Sequence, residues 1–128
     1  MAIVRKERGA ELLFDAVSDE VGFIPAPVIV EFHRVTSGED NQVDPKAARL
    51  MDIILSGNVR IAPFDEQSAN IAVAANALYG SGNHKGGLLN MLDLMVYGMA
   101  KARGLPILFT GHDFATTDAL IHPASRIG

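Results

Sequence analysis

Three acidic residues, Glu31, Asp93 and Asp113, stand where a carboxylate can take part in chemistry. Asp93 lies in a predicted helix that is apolar on almost every side, a pattern typical of a buried helix. An ionised carboxylate in such a place costs several kcal/mol unless it is paired or binds a metal ion. Glu31 lies one turn into a helix that directly follows a strand, and Asp113 comes just after an apolar strand.

Each of these acids also has a purely structural explanation. Asp93, three residues after a predicted helix cap, can satisfy N–H groups of the first turn and favour the helix dipole. Glu31 can form a salt bridge with Arg34 or with a more distant base. Asp113 can form a turn, since aspartate is favoured in turns. Taken one at a time, the residues do not decide between the two explanations.

Their shared location favours the functional explanation. In an open parallel sheet, sites form beyond the carboxyl ends of the strands. Glu31 and Asp113 both follow strands, and the first turn of the helix with Asp93 can lie alongside them. Three converging carboxylates cannot all stay ionised without a cation, and all-oxygen ligands suit Mg²⁺ or Mn²⁺ better than zinc. The pattern predicts a metal site suited to the hydrolysis of a phosphodiester.

The other candidates carry weaker signals. Asp118 follows two threonines and is more typical of a cap or turn, whereas His112 adjoins Asp113 and is placed to reach a phosphate. The remaining histidines show no metal-ligand spacing. The glycine-rich stretch 80–87 follows a helix rather than a strand and lacks the spacing of a phosphate-binding loop.

Composition limits the class of protein. The chain has 128 residues, of which 48% are hydrophobic and 20% charged, which predicts one globular domain and excludes disorder. No apolar run is long enough for a transmembrane helix, and the absence of cysteine excludes disulfides and thiolate zinc sites. Charges near the N-terminus argue against a signal peptide and predict a cytoplasmic protein without membrane contact. A net charge of −4 means that contact with nucleic acid needs a local patch, a metal ion or a partner chain.

Helices alternate with strands along the chain. Apolar spacing and capping residues predict helices at 9–17, 26–35, 45–55, 66–79 and 91–103. Strands are predicted at 21–25, 59–62 and 105–110. This alternation predicts an α/β fold with a parallel sheet flanked by helices, although such domains usually have about five strands.

Several segments resemble the PIN-domain ribonucleases, and in particular the VapC toxins of bacterial toxin–antitoxin modules. The resemblance is carried by the runs 80–101 and 105–118, by Pro27–Glu31 and by the junction at 61–69, and it covers essentially the whole chain. It implies a three-layer α/β/α fold around a parallel sheet and a Mg²⁺-dependent endoribonuclease. It also implies a homodimer and a cognate antitoxin that blocks the site. Glu31, Asp93 and Asp113 match acidic residues of the family, and Asp118 matches a further polar position.

The chain departs from the family at its N-terminus. Members open with an apolar strand that ends in an aspartate, whereas residues 1–8 resemble the later part of the helix that follows it. The resemblance therefore implies a PIN-like domain over 1–128 that lacks its first central strand and the acid on it. Our expectation is that translation begins upstream and that Met1 is an internal methionine. Leu92 is a smaller departure, since relatives carry glycine there.

Three functional hypotheses follow. The first is an active ribonuclease toxin. The second is a shortened, catalytically weak or inactive chain that mainly binds an antitoxin, since loss of one ligand weakens metal binding strongly. The third is a phosphoacceptor switch domain that uses Asp93 or Asp113. It is disfavoured because the acids and a lysine do not follow separate strands in the required arrangement.

Overall fold

The structure, a computed structural model, describes residues 21–109 and 111–125. Its elements in chain order are β1 (Gly22–Pro25), α1 (Ala26–Thr36), α2 (Pro45–Ser56), β2 (Val59–Ala62), α3 (Glu66–Tyr79), α4 (Met91–Arg103) and a short 3₁₀ helix (Asp113–Thr116). These bounds confirm four predicted helices and two predicted strands. The helix predicted at 9–17 lies outside the described residues.

The helices begin where the sequence predicts because their caps are local. The side chains of Asp65 and Asn90 accept hydrogen bonds from the N–H groups of Ser68 and Asp93, both at 2.9 Å. Each bond satisfies a donor that the first turn of a helix leaves without an intrahelical partner. At the other end of α4, Gly104 takes the left-handed conformation, with φ at 63°, which ends the helix at little steric cost.

The sheet of the described residues consists of β1 and β2, which pair in parallel. Gly22 lies opposite Val59, and Pro25 lies opposite Ala62. Helix α1 leaves β1 directly, and α2 packs against β2. The predicted α/β class with a parallel sheet and flanking helices is therefore confirmed.

The strand predicted at 105–110 is not formed as a ladder within the described residues. Only Ile107 forms a bridge, parallel to Ile121, through its N–H to the Leu120 carbonyl and its carbonyl to the His122 N–H. The ladder does not extend, because the Leu105 N–H donates to the Ala100 carbonyl at 3.0 Å and the Phe109 N–H donates to Ser125 Oγ at 3.2 Å. The apolar run 107–109 is buried, so its composition reflects burial rather than strand pairing.

The core lies between the sheet and the pair α3–α4. Its fully buried side chains include Ile24, Val28, Leu89, Ile107 and Leu108. Helices α3 and α4 approach so closely at Gly98 that a Cβ atom there would come within 2.3 Å of the Ser68 carbonyl oxygen. This contact fixes α4, the helix that carries Asp93, against its neighbour. Among the described residues, no helix combines the length and apolarity needed to cross a membrane.

Candidate active site

Asp93 stands in the first turn of α4 and forms a capping box with Asn90. Its Oδ2 atom accepts from the Asn90 N–H at 3.1 Å, while its own N–H donates to Asn90 Oδ1 at 2.9 Å. The structural role considered for Asp93 is therefore present. The capping box also fixes the direction of the carboxylate, which is useful at a catalytic site.

The expected deep burial of Asp93 is wrong. Burial in α4 is confined to its middle, at Val96, Tyr97, Gly98 and Met99, while Asp93 is half-buried and Met91 is 77% exposed. An apolar composition on all sides therefore did not make the whole helix a core helix. The first turn of α4 lies nearer the surface, where Asp93 is partly accessible to solvent.

Asp113 begins the 3₁₀ helix that follows the apolar run 107–109. Its carbonyl accepts from the Thr116 hydroxyl at 2.9 Å, which is the turn-forming role expected of it. Its half-buried carboxylate has no hydrogen bond or ion pair with the described residues. The next residue, Phe114, is buried edge-on against Phe109 with ring centroids 5.2 Å apart and anchors this turn. The main chain thus forms the turn, and the side chain of Asp113 remains available for chemistry.

Glu31 lies in the middle of α1 and is half-buried. The suggested salt bridge with Arg34 is not formed, and the described residues offer Glu31 no other ion pair. Buried Val28 marks the inner face of α1, while Val30 on the opposite side is exposed. Glu31 therefore stands at the border between the packed and the exposed faces of its helix.

Helix α4 connects the elements that carry the three acids. Both α1, with Glu31, and the 3₁₀ helix, with Asp113, pack against α4, whose first turn holds Asp93. At the level of side chains, however, the described residues contain no group of three His, Asp or Glu residues placed to hold a metal ion. The fold thus packs two of the acid-bearing elements on the third, α4, without joining the three carboxylates into a three-ligand set within the described part of the chain.

Asp118 has a tertiary role that the sequence did not reveal. Its Oδ1 atom accepts from the Tyr97 hydroxyl at 2.5 Å, and its Oδ2 atom forms an ion pair with Lys101 Nζ at 3.0 Å. The hydrogen bond from Tyr97, followed by the interaction with Lys101, lowers the pKa of Asp118. Burial, followed by the hydrogen bond to this carboxylate, raises the pKa of Tyr97. The expectation of a mere cap or turn missed these contacts.

Sequence reasoning also missed Tyr97 and Lys101 as partners of Asp118. The only signal in the sequence is their spacing, since residues four apart lie on one face of a helix. Tyr97 also packs against Tyr79, with ring centroids 5.6 Å apart. His112, the other supporting candidate, is exposed directly before Asp113, and its carbonyl accepts from the Ala115 N–H at 3.0 Å.

Comparisons with known proteins identify the family of the chain. The family model described as PIN domain matches residues 1–120. Ribonuclease VapC42 of Mycobacterium tuberculosis (strain ATCC 25618 / H37Rv) is 33% identical over 126 residues, which cover 97% of this chain and 92% of the relative. Ribonuclease VapC of Mycolicibacterium smegmatis (strain ATCC 700084 / mc(2)155) is 30% identical over an alignment of 131 positions, which covers 95% of this chain and 94% of the relative.

A shorter match has a higher sequence identity. Ribonuclease VapC30 of Mycobacterium tuberculosis (strain CDC 1551 / Oshkosh) is 50% identical over 50 residues, or 39% of this chain and 37% of the relative. The longer matches span nearly the full length of both chains, and the parallel sheet and helices of the described residues are consistent with an α/β PIN-like fold. On these grounds, the chain belongs to the PIN-domain family and, within it, to the VapC ribonucleases.

Proposed function

We propose that this protein is the toxin of a toxin–antitoxin module and acts in the cytoplasm as an endoribonuclease on RNA phosphodiester bonds. Similarity to ribonucleases named VapC over nearly the whole chain supports this function. The structural observation that carries it is the packing of α1 and the 3₁₀ helix on α4, which gathers the elements with Glu31, Asp93 and Asp113. A cognate antitoxin and a second copy of the chain are the proposed protein partners.

Mg²⁺ is the proposed cofactor, and Mn²⁺ is a suitable substitute. The candidate ligands are the carboxylates of Glu31, Asp93 and Asp113, whose oxygen donors suit a hard divalent ion. The described residues do not by themselves place the three carboxylates together as one ligand set. Asp93 and Asp113 are half-buried, so their oxygens are shielded in part yet accessible. When bound, such an ion supplies Lewis-acid activation of water and neutralises charge on the leaving oxygen.

The chain's own residues contribute orientation and charge. The capping box with Asn90 holds the Asp93 carboxylate in one direction before RNA arrives. Exposed His112 stands beside Asp113 and is placed to donate a hydrogen bond to a phosphate oxygen. Because the net charge is −4, contact with RNA at this site depends on such local donors and on the bound cation rather than on the overall field.

RNA cleavage by matched aspartate variants tests this function. Purified protein is incubated with a structured RNA in the presence of Mg²⁺, Mn²⁺ or EDTA, and Asp93→Asn is compared with Asp52→Asn. Asp52 is an exposed acid on α2, so its variant controls for the loss of one negative charge. We expect metal-dependent internal cleavage by the wild type and by Asp52→Asn, and a rate lower by about 100-fold or more for Asp93→Asn.

Two other outcomes are informative. Cleavage by Asp93→Asn at the wild-type rate would remove Asp93 from the mechanism. A wild-type chain that binds its antitoxin but does not cleave RNA would instead favour the second hypothesis, a protein that mainly binds the antitoxin.

A further inference from the structure

Tyr97 and Lys101 continue the face of α4 that begins with Asp93. The three residues are spaced by four, so their side chains follow one another along the same side of the helix. Tyr97 is 5% exposed and Lys101 is partly exposed, and the ammonium group of Lys101 lies 5.9 Å from the centre of the Tyr97 ring. This face of α4 therefore carries a candidate catalytic acid at its start and two hydrogen-bond donors further on.

Both donors bind the same carboxylate. The Tyr97 hydroxyl donates to Asp118 Oδ1 at 2.5 Å, and Lys101 Nζ lies 3.0 Å from Asp118 Oδ2. Lys101 Nζ also donates to the Asp118 carbonyl at 3.4 Å. We call Tyr97, Lys101 and Asp118 the clamp. Because each carboxylate oxygen has its own donor on α4, Asp118 is held in place and is poorly suited to act as a metal ligand itself.

The segment between Asp113 and Asp118 is internally bonded. Thr117 donates to the Phe114 carbonyl through its N–H at 3.1 Å and through its hydroxyl at 2.7 Å. The Ala119 N–H donates to the Thr117 hydroxyl at 3.1 Å, and Phe114 is buried. A displacement of Asp118 is therefore transmitted to the 3₁₀ helix, which itself packs on α4.

We propose that Tyr97, Lys101 and Asp118 are positioning residues, which hold the segment bearing Asp113 against the face of α4 that begins with Asp93. This role rests on the proposed ribonuclease function. In this role the clamp acts without touching RNA or metal. It fixes the relative placement of two acids that come from separate elements, and small errors in such placement lower the rate of catalysis strongly.

Kinetics of RNA cleavage test the role in catalysis. The variants are Tyr97→Phe, which removes only a hydroxyl, Lys101→Met, which removes only the charge, and the double variant. We expect kcat of the double variant to fall about tenfold or more while KM changes less than about twofold, because ground-state RNA contacts are unaffected. Lys101→Arg, which retains the cation, should recover most of the activity. Asp52→Asn serves as the surface control.

The same variants are also checked for correct folding. All rates are measured at a temperature where thermal unfolding curves show each variant to be fully folded. A double variant with wild-type kcat under these conditions would overturn the proposal, as would a Lys101→Arg variant no better than Lys101→Met.

Amide hydrogen exchange tests the clamp without reference to ribonuclease activity. The N–H groups of Ala115 and Thr117 close the 3₁₀ helix by donating to the carbonyls of His112 and Phe114. They should exchange faster in the double variant than in the wild type, while the Ser68 N–H, bonded to Asp65 at the start of α3, should be unchanged. Unaltered exchange at Ala115 and Thr117 would overturn the proposal.

Together, the cleavage kinetics and the amide exchange distinguish a failure of the proposed function from a failure of the positioning role. If the wild type does not cleave RNA, the proposed function fails, and the exchange experiment still decides whether the clamp holds the 3₁₀ helix. If Asp93→Asn is inactive but the double variant has wild-type kcat, the ribonuclease function stands and the positioning role fails.

Discussion

Asp93 and Asp118 are both tied to α4, but in different ways. Asp93 exchanges hydrogen bonds with Asn90, three residues away, whereas Asp118 binds Tyr97 and Lys101, which are 21 and 17 residues away in sequence. The first arrangement follows from the open donors at the start of any helix. The second requires the chain to fold back onto the helix. A local contact thus leaves Asp93 a candidate for chemistry, while a long-range contact commits Asp118 to structure.

The electrostatic surroundings of Asp118 explain this division. The Tyr97 hydroxyl and the Lys101 ammonium stabilise its charged form and lower its pKa. A carboxylate that already has a hydrogen-bond donor and a cation gains little from a metal ion. The carboxylate of Asp113 has no such partner among the described residues and is the better candidate for catalysis.

The largest expected effect is a difference in the rate of RNA cleavage between variants of Asp93 and of Asp118. Asp93→Asn should lower the rate of RNA cleavage by about 100-fold or more, because it removes a charge from the reacting site, whereas Asp118→Asn should cost about tenfold. The amide oxygen introduced by Asp93→Asn can still accept from the Asn90 N–H, so the helix start is largely retained. Single-turnover cleavage of one RNA substrate measures both effects. Equal losses of cleavage rate in the two variants would contradict the assignment of Asp93 to chemistry and of Asp118 to structure.

A second prediction concerns the close contact of α3 and α4, on which both regions depend. Gly98→Ala should destabilise the fold by about 2 kcal/mol, because the new Cβ would lie 2.3 Å from the Ser68 carbonyl oxygen, a backbone atom that cannot move aside easily. Gly104→Ala is the matched control. It meets no atom within 4 Å but must adopt a left-handed φ of 63°, at a cost of about 1 kcal/mol. Urea unfolding compares the two variants, and a smaller loss for Gly98→Ala would contradict the close packing.

The sequence predicted the features that depend on neighbouring residues. Asp44, Asp65 and Asn90 are short polar side chains placed before helical segments, and each caps the predicted helix. The prediction of a strand at 105–110 was wrong within the described residues, because an apolar run indicates burial, while a ladder also needs free donors, and those of Leu105 and Phe109 are bonded elsewhere.

The elements that carry the candidate acids were predictable to a similar extent. Glu31, Asp93 and Asp113 were selected by position relative to strands and helices, and the structure places their elements around α4. The bond from Tyr97 to Asp118 was not predictable, because nothing in the sequence near either residue specifies a partner 21 positions away. The distances among the three acids depend on tertiary packing in the same way, so the sequence alone does not determine them.

A third prediction compares the two contacts by stability. Asn90→Ala removes the helix cap and should cost about 1 kcal/mol. Tyr97→Phe removes a hydroxyl that donates to a carboxylate and should cost about 1 kcal/mol as well, since solvent replaces part of the bond at the exposed Asp118. The two losses should add in the double variant, because the pairs share no partner. Chemical denaturation measures all three variants, and strong non-additivity would show that the first turn and the clamp are coupled.

The smallest expected effect is a dependence of clamp stability on pH. The folded-state pKa of Asp118 is lower than the unfolded value of 3.8, so its contribution is complete above about pH 4 and is lost as pH falls below that value. The folded-state pKa of Tyr97 is raised above the unfolded value of 10.0, so its contribution is complete below about pH 10 and is lost as pH rises further.

Unfolding of wild type and Asp118→Asn in urea, measured between about pH 2 and pH 11, tests both limits. The difference in unfolding free energy should stay below about 1 kcal/mol, since the ion pair is exposed to solvent, and should shrink below about pH 4. The lowered pKa of Asp65, caused by its hydrogen bond from Ser68, is common to both proteins and cancels. High salt should weaken the part due to Lys101 but leave the hydrogen bond from Tyr97. A difference that persists unchanged at about pH 2 would mean that the charge of Asp118 does not hold the clamp together.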